Sequence, residues 1–219
     1  MNYHLIITSD GSHTIYVPEL NEHFHSVHGA VQESTHIFIN QGLNQLHIKE
    51  VNILEIGFGT GLNALLTNLE IENQEKFVHY TTIEKFPLPD STTGKLNFID
   101  IAGDKSRRIF SLIHKAEWDT DIKISNNFIL KKVRDDLTDM NLEGSFDLIY
   151  FDAFGPDKQP EMWTTDVFNK ISGATKTGGV FVTYSAKGQV KRNLRACGFT
   201  VELLPGPPGK RQMIRAIKM

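Results

Sequence analysis

The residues predict an α/β fold: a doubly wound, mostly parallel sheet of seven strands with helices on both faces. An N-terminal extension (1–50) packs on this core domain (51–219). Three observations carry the prediction. From residue 51 onward, short apolar runs alternate with helical patterns, as crossover-linked parallel strands require. The first run ends in Glu55-Ile56-Gly57-Phe58-Gly59-Thr60-Gly61, an acid and then glycines at alternate positions where a strand gives way to a helix. The last two runs, joined by Pro205-Gly206-Pro207-Pro208-Gly209, read as a hairpin that places an antiparallel strand inside the sheet.

Each element follows from its local pattern. Asp10-Gly11-Ser12 is a turn between extended stretches at His4–Thr8 and Thr14–Val17, and a helical pattern follows over His23–Asn40 with Ala30, His36, Ile37 and Phe38 on its buried side. Val51–Ile56 is a near-continuous apolar run, the signature of a strand buried on both faces. Gly61–Leu69 opens the first crossover helix and Val78–Ile83 is the second strand, ending at Glu84. A helical region punctuated by Pro87, Pro89 and Gly94 extends to about His114. Phe128–Val133 and Phe146–Phe151 are the third and fourth strands, the latter ending at Asp152. Trp163–Ala174 is helical, Gly178-Gly179 leads into the fifth strand Val180–Tyr184, and Lys187–Cys197 is a basic helix capped by Gly198. Phe199–Leu203 and Met213–Ile217 close the sheet.

Composition narrows the class. The 219 residues are 40% hydrophobic and 22% charged, which suits one globular domain with a small extension. No apolar run approaches the ~18 residues of a membrane span, and no basic segment followed by an apolar core opens the chain. The single cysteine, Cys197, excludes an intramolecular disulfide and fits a reducing, cytoplasmic setting, where it serves as packing. Charge is uneven. Residues 187–219 carry eight basic side chains and one acid, a net +7, so the other 186 residues carry −10 to give the total of −3. A basic segment of this kind suits either a solvated face or a polyanion partner. His23, His25 and His28 do not read as a metal centre: a helix would turn the first two apart, and no fourth ligand lies nearby.

The glycine spacing separates two chemistries. A dinucleotide fingerprint needs a third glycine where Leu62 stands. The pattern E-x-G-x-G-x-G instead resembles motif I of the class I, Rossmann-like methyltransferases that use S-adenosyl-L-methionine. In such a sheet the ligand sits at the carboxyl ends of the strands. Gly57, Gly59 and Gly61 let the backbone turn beside it, with Phe58 and Asn63 in the same turn. Glu55 is suited to the ligand's ammonium, directly or through neighbours and water. Glu84, followed by Lys85, can accept hydrogen bonds from two ribose hydroxyls. Asp136 or its competitor Asp135 is placed for the adenine amino group, and Asp152 faces the methyl-transfer site. Helix capping is the alternative use of these carboxylates.

The block Asp152-Ala153-Phe154-Gly155-Pro156-Asp157-Lys158-Gln159-Pro160-Glu161-Met162-Trp163 closely resembles the MnmC-type (MnmD) tRNA methyltransferase family. The likeness continues through Phe58–Asn63, Glu84–Leu88, Thr183–Gly188, Gly206–Met213 and the N-terminal Asp10-Gly11-Ser12, Glu33-Ser34 and Ile37-Phe38. The resemblance implies methyl transfer to the 5-aminomethyl group of the tRNA wobble (2-thio)uridine, with the anticodon stem-loop as partner and Asp152 as the catalytic carboxylate. Phe154, Pro156 and Trp163 would wall the substrate pocket, although core packing is equally open to Trp163. Tyr184 and Lys187 would stand at its mouth, and Lys187, Lys191, Arg192, Lys210 and Arg211 would meet phosphate. Bifunctional members carry an FAD-dependent oxidase, and with no second glycine fingerprint here no FAD or oxidase activity is expected of this chain. A methyl- or aminopropyltransferase acting on a small-molecule amine is the alternative.

Overall fold

The computed structural model describes residues 2–72, 74–99 and 104–219. The expected helical stretch over 100–103 lies outside them. Strands β1 (His4–Ile7), β2 (His13–Val17) and β3 (Glu22–His23) form a small antiparallel sheet. The helix expected from His23 begins only at Ala30: α1 (Ala30–Ser34) continues as a π-helix over Thr35–Asn40. Residues 22–29 are instead drawn into β3 and a connecting segment, where backbone and side-chain bonds hold them. Phe24 N–H donates to Ile15 O at 2.9 Å and His25 N–H to Thr14 Oγ1 at 2.9 Å. Ala30, Ile37 and Phe38 are buried as expected; His36 is half-buried.

The main sheet has eight strands rather than seven. In chain order they are β4 (Glu50–Ile56), β5 (Phe77–Ile83), β6 (Asp121–Ser125), β7 (Phe128–Val133), β8 (Phe146–Phe151), β9 (Thr175–Thr183), β10 (Phe199–Pro205) and β11 (Gln212–Lys218). Their spatial order is β10-β11-β9-β8-β4-β5-β7-β6. The central pairings β9-β8, β8-β4, β4-β5 and β5-β7 are parallel, while β11 runs antiparallel between β9 and β10. The additional strand, β6, is an edge hairpin partner of β7 with a register shift between Lys123 and Ser125. Strand β9 begins five residues before the expected Val180, so Gly178 and Gly179 lie within it. The register advances from Phe146↔Thr175 to Leu148↔Val180, a bulge at which Gly178 takes φ +78°.

Side chains alternate across this sheet and bury both faces. Val51, Ile53, Leu148, Tyr150, Val180 and Val182 point to one cluster, covered by the residues 30–40 helix, α2 (Leu62–Ile71) and α4 (Asp104–Lys115); a short helix, α3 (Asp90–Thr93), precedes α4. Leu54, Ile56, Ile149, Phe151 and Phe181 point to the other, covered by α5 (Thr165–Ala174) and α6 (Gly188–Ala196). Helix α5 starts where the Thr164 hydroxyl accepts from Val167 N–H. Cys197 is buried in this second cluster.

At the amino ends of the strands, far along the sheet from the glycine turn, Asp147 ties three strands together. It is 8% exposed, accepts from Asn52 N–H at 2.9 Å and pairs with Lys176 at 2.8 and 2.9 Å. Asp147→Ala leaves a half-buried N–H and a half-buried ammonium without their acceptor. It is expected to cost about 2–3 kcal/mol in urea unfolding while leaving ligand affinity at the opposite strand ends unchanged.

Candidate active site

The site lies at the carboxyl ends of β4, β5 and β8, around a cavity of about 550 Å³. Its floor is the glycine turn. Gly57 sits at φ +90°, and a Cβ there would stand 2.8 Å from Asp152 O, so the two strand ends approach as closely as a bare backbone allows. Gly57 N–H donates to Ile83 O at 3.0 Å and Asp152 N–H to Ile56 O at 2.9 Å, extending the ladder into the turn. Gly61, at φ +73°, caps α2 in a left-handed conformation. Two histidines whose burial pulls them down to about 4, and which therefore stay neutral, clamp the turn at Thr60. His25 Nε2 lies 2.7 Å from its hydroxyl and His114 Nε2 3.1 Å from its carbonyl. Under the turn, Phe58 packs on His114 and Trp118, with Lys132 Nζ 5.5 Å from the Phe58 ring and 4.8 Å from the Trp118 ring. His23 packs on Tyr16 with ring centroids 4.8 Å apart, and His23, His25 and His28 all border the cavity.

Glu84 is anchored at the cavity edge by both oxygens. Its Oε2 accepts Gly59 N–H at 3.1 Å and its Oε1 accepts Phe86 N–H at 2.8 Å, which leaves lone pairs toward the cavity. Asp136 is more occupied. Burial opposes its ionisation, but hydrogen bonds from Lys85 and from the Thr138 hydroxyl and amide prevail and hold it down at about 2. Asp135 is exposed, with one oxygen accepting Asp136 N–H at 2.7 Å. Both border the cavity, as does Phe86, 58% exposed at its rim.

Asp152 Oδ2 accepts from Asn63 Nδ2 at 2.9 Å. Burial pushes this carboxyl up to about 7, the Asn63 bond opposing the rise. Glu55 lies beneath, wholly buried and outside the lining, paired across the sheet with Thr82 and Tyr150. Of the two expected modes, direct contact or contact through neighbours, the burial of Glu55 leaves the second, with Asn63 between it and the cavity. Burial, with the Asp152 charge adding, pushes Glu55 up to about 8. Polar contacts with Thr82, Asn63 and Tyr80 oppose that rise.

The substrate side departs further from expectation. Phe154 lines the cavity and meets Phe24 edge-on at 5.1 Å. Trp163 does not line it. It is 4% exposed, packs on Phe151 and donates from Nε1 to Phe154 O at 2.8 Å, so it anchors the wall from behind. Pro156 likewise stands outside the lining. Tyr184 lines the cavity and donates to Ala153 O at 2.9 Å. Of the five basic residues only Lys210 reaches the cavity, where it pairs with Glu33 rather than standing free. Lys187 pairs with exposed Asp157, Arg192 donates to Gln189, Lys191 is half-buried and Arg211 is exposed; all four lie outside the lining. Phe24, Glu33 and Phe86 are cavity residues absent from the expected set. Glu33 and Phe86 fall in segments that carried the family resemblance, while nothing in the local sequence marks Phe24.

A Rossmann-like sheet with a glycine turn and carboxylates after β5 and β8 facing one cavity is the architecture of nucleoside-dependent methyltransferases. The family model described as S-adenosyl-L-methionine-dependent methyltransferase matches residues 103–219, and the chain belongs to that family. The bifunctional protein MnmC of Campylobacter hominis, described as acting in tRNA 5-methylaminomethyl-2-thiouridine biosynthesis, is 33% identical over 170 residues, 76% of this chain and 25% of the relative. Its counterpart from Leptospira borgpetersenii is 33% identical over 208 residues, 87% of this chain and 31% of the relative. The chain thus spans about a quarter to a third of these relatives. The crystal structure of MnmC2 from Aquifex aeolicus superposes with a TM-score of 0.82 at 24% identity, over 99% of this chain and 70% of that one. A spermidine synthase shares the fold more loosely, with a TM-score of 0.56 at 15% identity. The cofactor of the family, S-adenosyl-L-methionine, fits what is present: a backbone turn without side chains and a doubly anchored Glu84 beside the same cavity. Among the described residues no helix is long and apolar enough to cross a membrane.

The Glu55 shift has a measurable sign. Between about pH 4.5 and about 8 the folded state keeps a proton that the unfolded chain has released, so stability falls as pH rises through that window and the penalty is complete above it. Glu55→Gln is expected to unfold at higher urea than the parent at pH 8.5, by a few kcal/mol, and to show no such advantage at pH 4. Asp152, raised in the same direction, retains a shallower slope in the variant. Equal differences at both pH values would show that the Glu55 proton is not the cause.

Proposed function

We propose that this chain transfers the methyl group of S-adenosyl-L-methionine to the 5-aminomethyl group of the tRNA wobble (2-thio)uridine, giving 5-methylaminomethyl. The observation that carries the reading is one cavity joining the anchored Glu84 carboxylate to Asp152, with Phe154 and Phe24 forming an aromatic wall beside it. The similarity to proteins described as acting in tRNA 5-methylaminomethyl-2-thiouridine biosynthesis supports the substrate. Glu84 would hold the ribose hydroxyls, Asp135 or Asp136 the adenine amino group, and Gly57, Gly59 and Asn63 the amino-acid end, with Glu55 behind Asn63. When bound, the cofactor supplies an activated methyl group.

The chain's own task is to deliver a neutral, aimed amine. An alkylammonium titrates near the ~10.4 of a lysine, so the substrate arrives charged. Asp152 accepts hydrogen bonds from it and takes one proton from its nitrogen, becoming a carboxylic acid, while the nitrogen keeps the lone pair. A carboxyl lifted to about 7 by burial receives that proton more readily than an ordinary aspartate would. Asn63, bonded to Oδ2, fixes which oxygen faces the amine. Phe154, steadied by Trp163, offers a ring for the uracil. Lys187, Lys191, Arg192 and Arg211 flank the hairpin and helix ends as phosphate contacts for the anticodon stem-loop, and a tRNA substrate places the protein in the cytoplasm.

The test is methyl transfer from labelled cofactor to tRNA bearing or lacking the aminomethyl arm, followed by nucleoside analysis. Label is expected only as 5-methylaminomethyl product on the aminomethyl tRNA. Asp152→Ala is expected to lower kcat by about 10²–10⁴-fold with cofactor binding retained, and Glu84→Ala to weaken cofactor binding about tenfold or more. A preparation that binds cofactor but labels no tRNA overturns the tRNA assignment in favour of a small-molecule amine.

A further inference from the structure

Lys210 occupies an unusual place for a residue expected at a phosphate. It rises from the turn between β10 and β11, and its Nζ lies 4.4 Å from the centroid of the Tyr184 ring while pairing with Glu33 Oε1. Glu33, on α1, is 7% exposed, and its other oxygen accepts Ser26 N–H at 2.8 Å. The Tyr184 ring is fixed by its hydroxyl, which donates to the carbonyl of Ala153, the neighbour of Asp152. Glu33, Tyr184, Lys210 and Asp152 all border the same cavity. A buried carboxylate set against an aromatic face is the chemistry that binds an alkylammonium.

We propose that the Glu33 carboxylate and Tyr184 ring form the docking box for the substrate's protonated amine, and that Lys210 fills it as a surrogate until substrate arrives. The inference rests on the amine-methylating reading above. Lys210 and an aminomethyl group present the same chemical unit, a primary ammonium on a methylene. At docking, before the proton passes to Asp152, exchange of one for the other conserves the charge around Glu33, whose carboxylate would be costly to leave buried and unpaired. The displaced Lys210 turns outward beside exposed Arg211, where a polyanion's phosphates can receive it. A tRNA lacking the amine cannot satisfy Glu33, so Lys210 stays in place in the box. Glu33 is thus a specificity-determining residue.

The experiment empties the box. Lys210→Ala is compared with the parent, with Lys210→Met and with the Glu33→Gln/Lys210→Ala double variant by thermal unfolding in ethylammonium chloride against sodium chloride at equal ionic strength. Ethylammonium is expected to raise the midpoint of Lys210→Ala alone by several degrees. The parent and Lys210→Met have the box filled, and the double variant has lost the carboxylate. If Lys210→Ala folds only with help, the recovery of folded protein in the two salts gives the same comparison. Equal response of all four proteins, or no difference between the salts for Lys210→Ala, overturns the box. No tRNA or methyl donor enters this assay. A positive rescue with failed tRNA labelling leaves an amine site for another substrate, and successful labelling without rescue removes the box but not the tRNA reading. In turnover, Glu33→Gln is expected to raise KM for aminomethyl tRNA about tenfold with kcat changed far less. A fall confined to kcat would contradict a docking role.

Discussion

The register of β4 between β5 and β8 is the constraint on which the site depends. Parallel pairing sets Glu55 opposite Thr82 and Tyr150, and Ile56 opposite Ile83 and Phe151. The strands on either side of the glycine turn therefore end level with it, and their next residues are Glu84 and Asp152. A slip of one residue would turn every core side chain of β4 to the wrong face and would separate Gly57 from the Asp152 carbonyl. The close approach that only glycine permits is thus both a packing requirement and the means by which two carboxylates reach one cavity.

This arrangement concentrates groups that water would normally stabilise. Glu55 and Asp152 are both pushed toward their neutral forms by burial, and like charge adds to it, that of Asp152 on Glu55 and that of Glu33 on Asp152. On the far side of the turn Lys132, 1% exposed, is drawn down to about 8 by burial and donates to His114 O at 2.8 Å, beside two aromatic faces. Such an interior carries a folding cost that a purely apolar one would not, and large aromatic cores on both faces of the sheet offset it. Cationic ligands relieve part of that cost: a positive charge entering beside Asp152 favours the ionised carboxylate. Affinity for such ligands and instability of the empty protein at alkaline pH are therefore two aspects of the same burial.

Features encoded by short-range pattern were legible from the residues. The glycine turn, the central parallel strands and the placement of Glu84 and Asp152 at strand ends required only apolar runs, their limits and one motif. What escaped depends on partners distant in the chain. Strand β6 is an edge strand whose charged, alternating residues need β7 to become a strand at all. Residues 22–29 carry a helical spacing, yet bonds to β2 and contacts with the glycine turn outweigh it. Trp163 is an aromatic beside a functional motif, and whether it faces the cavity or the core is decided by α6 and the Phe154 carbonyl, neither adjacent in sequence. Lys210 reads as one of several exposed basic residues until α1 supplies Glu33.

Residues 28–36, the N-terminal helix and the segment leading into it, grip the end of β10 and the β10-β11 turn at three points: His36 with Pro205 O at 2.9 Å, His28 against Gly209, and Glu33 with Lys210. The partners in the first and last of these contacts are 169 and 177 positions apart in sequence. The consequence concerns order of assembly. During synthesis the β4-β5 floor and its glycine turn can form while the rest of the chain is still emerging. The wall that completes the cavity waits for the closing hairpin, because a contact of such sequence separation cannot be made earlier. A nascent chain can thus present a nucleoside platform before it has any means of selecting an acceptor, and the step that confers discrimination is the last to fold.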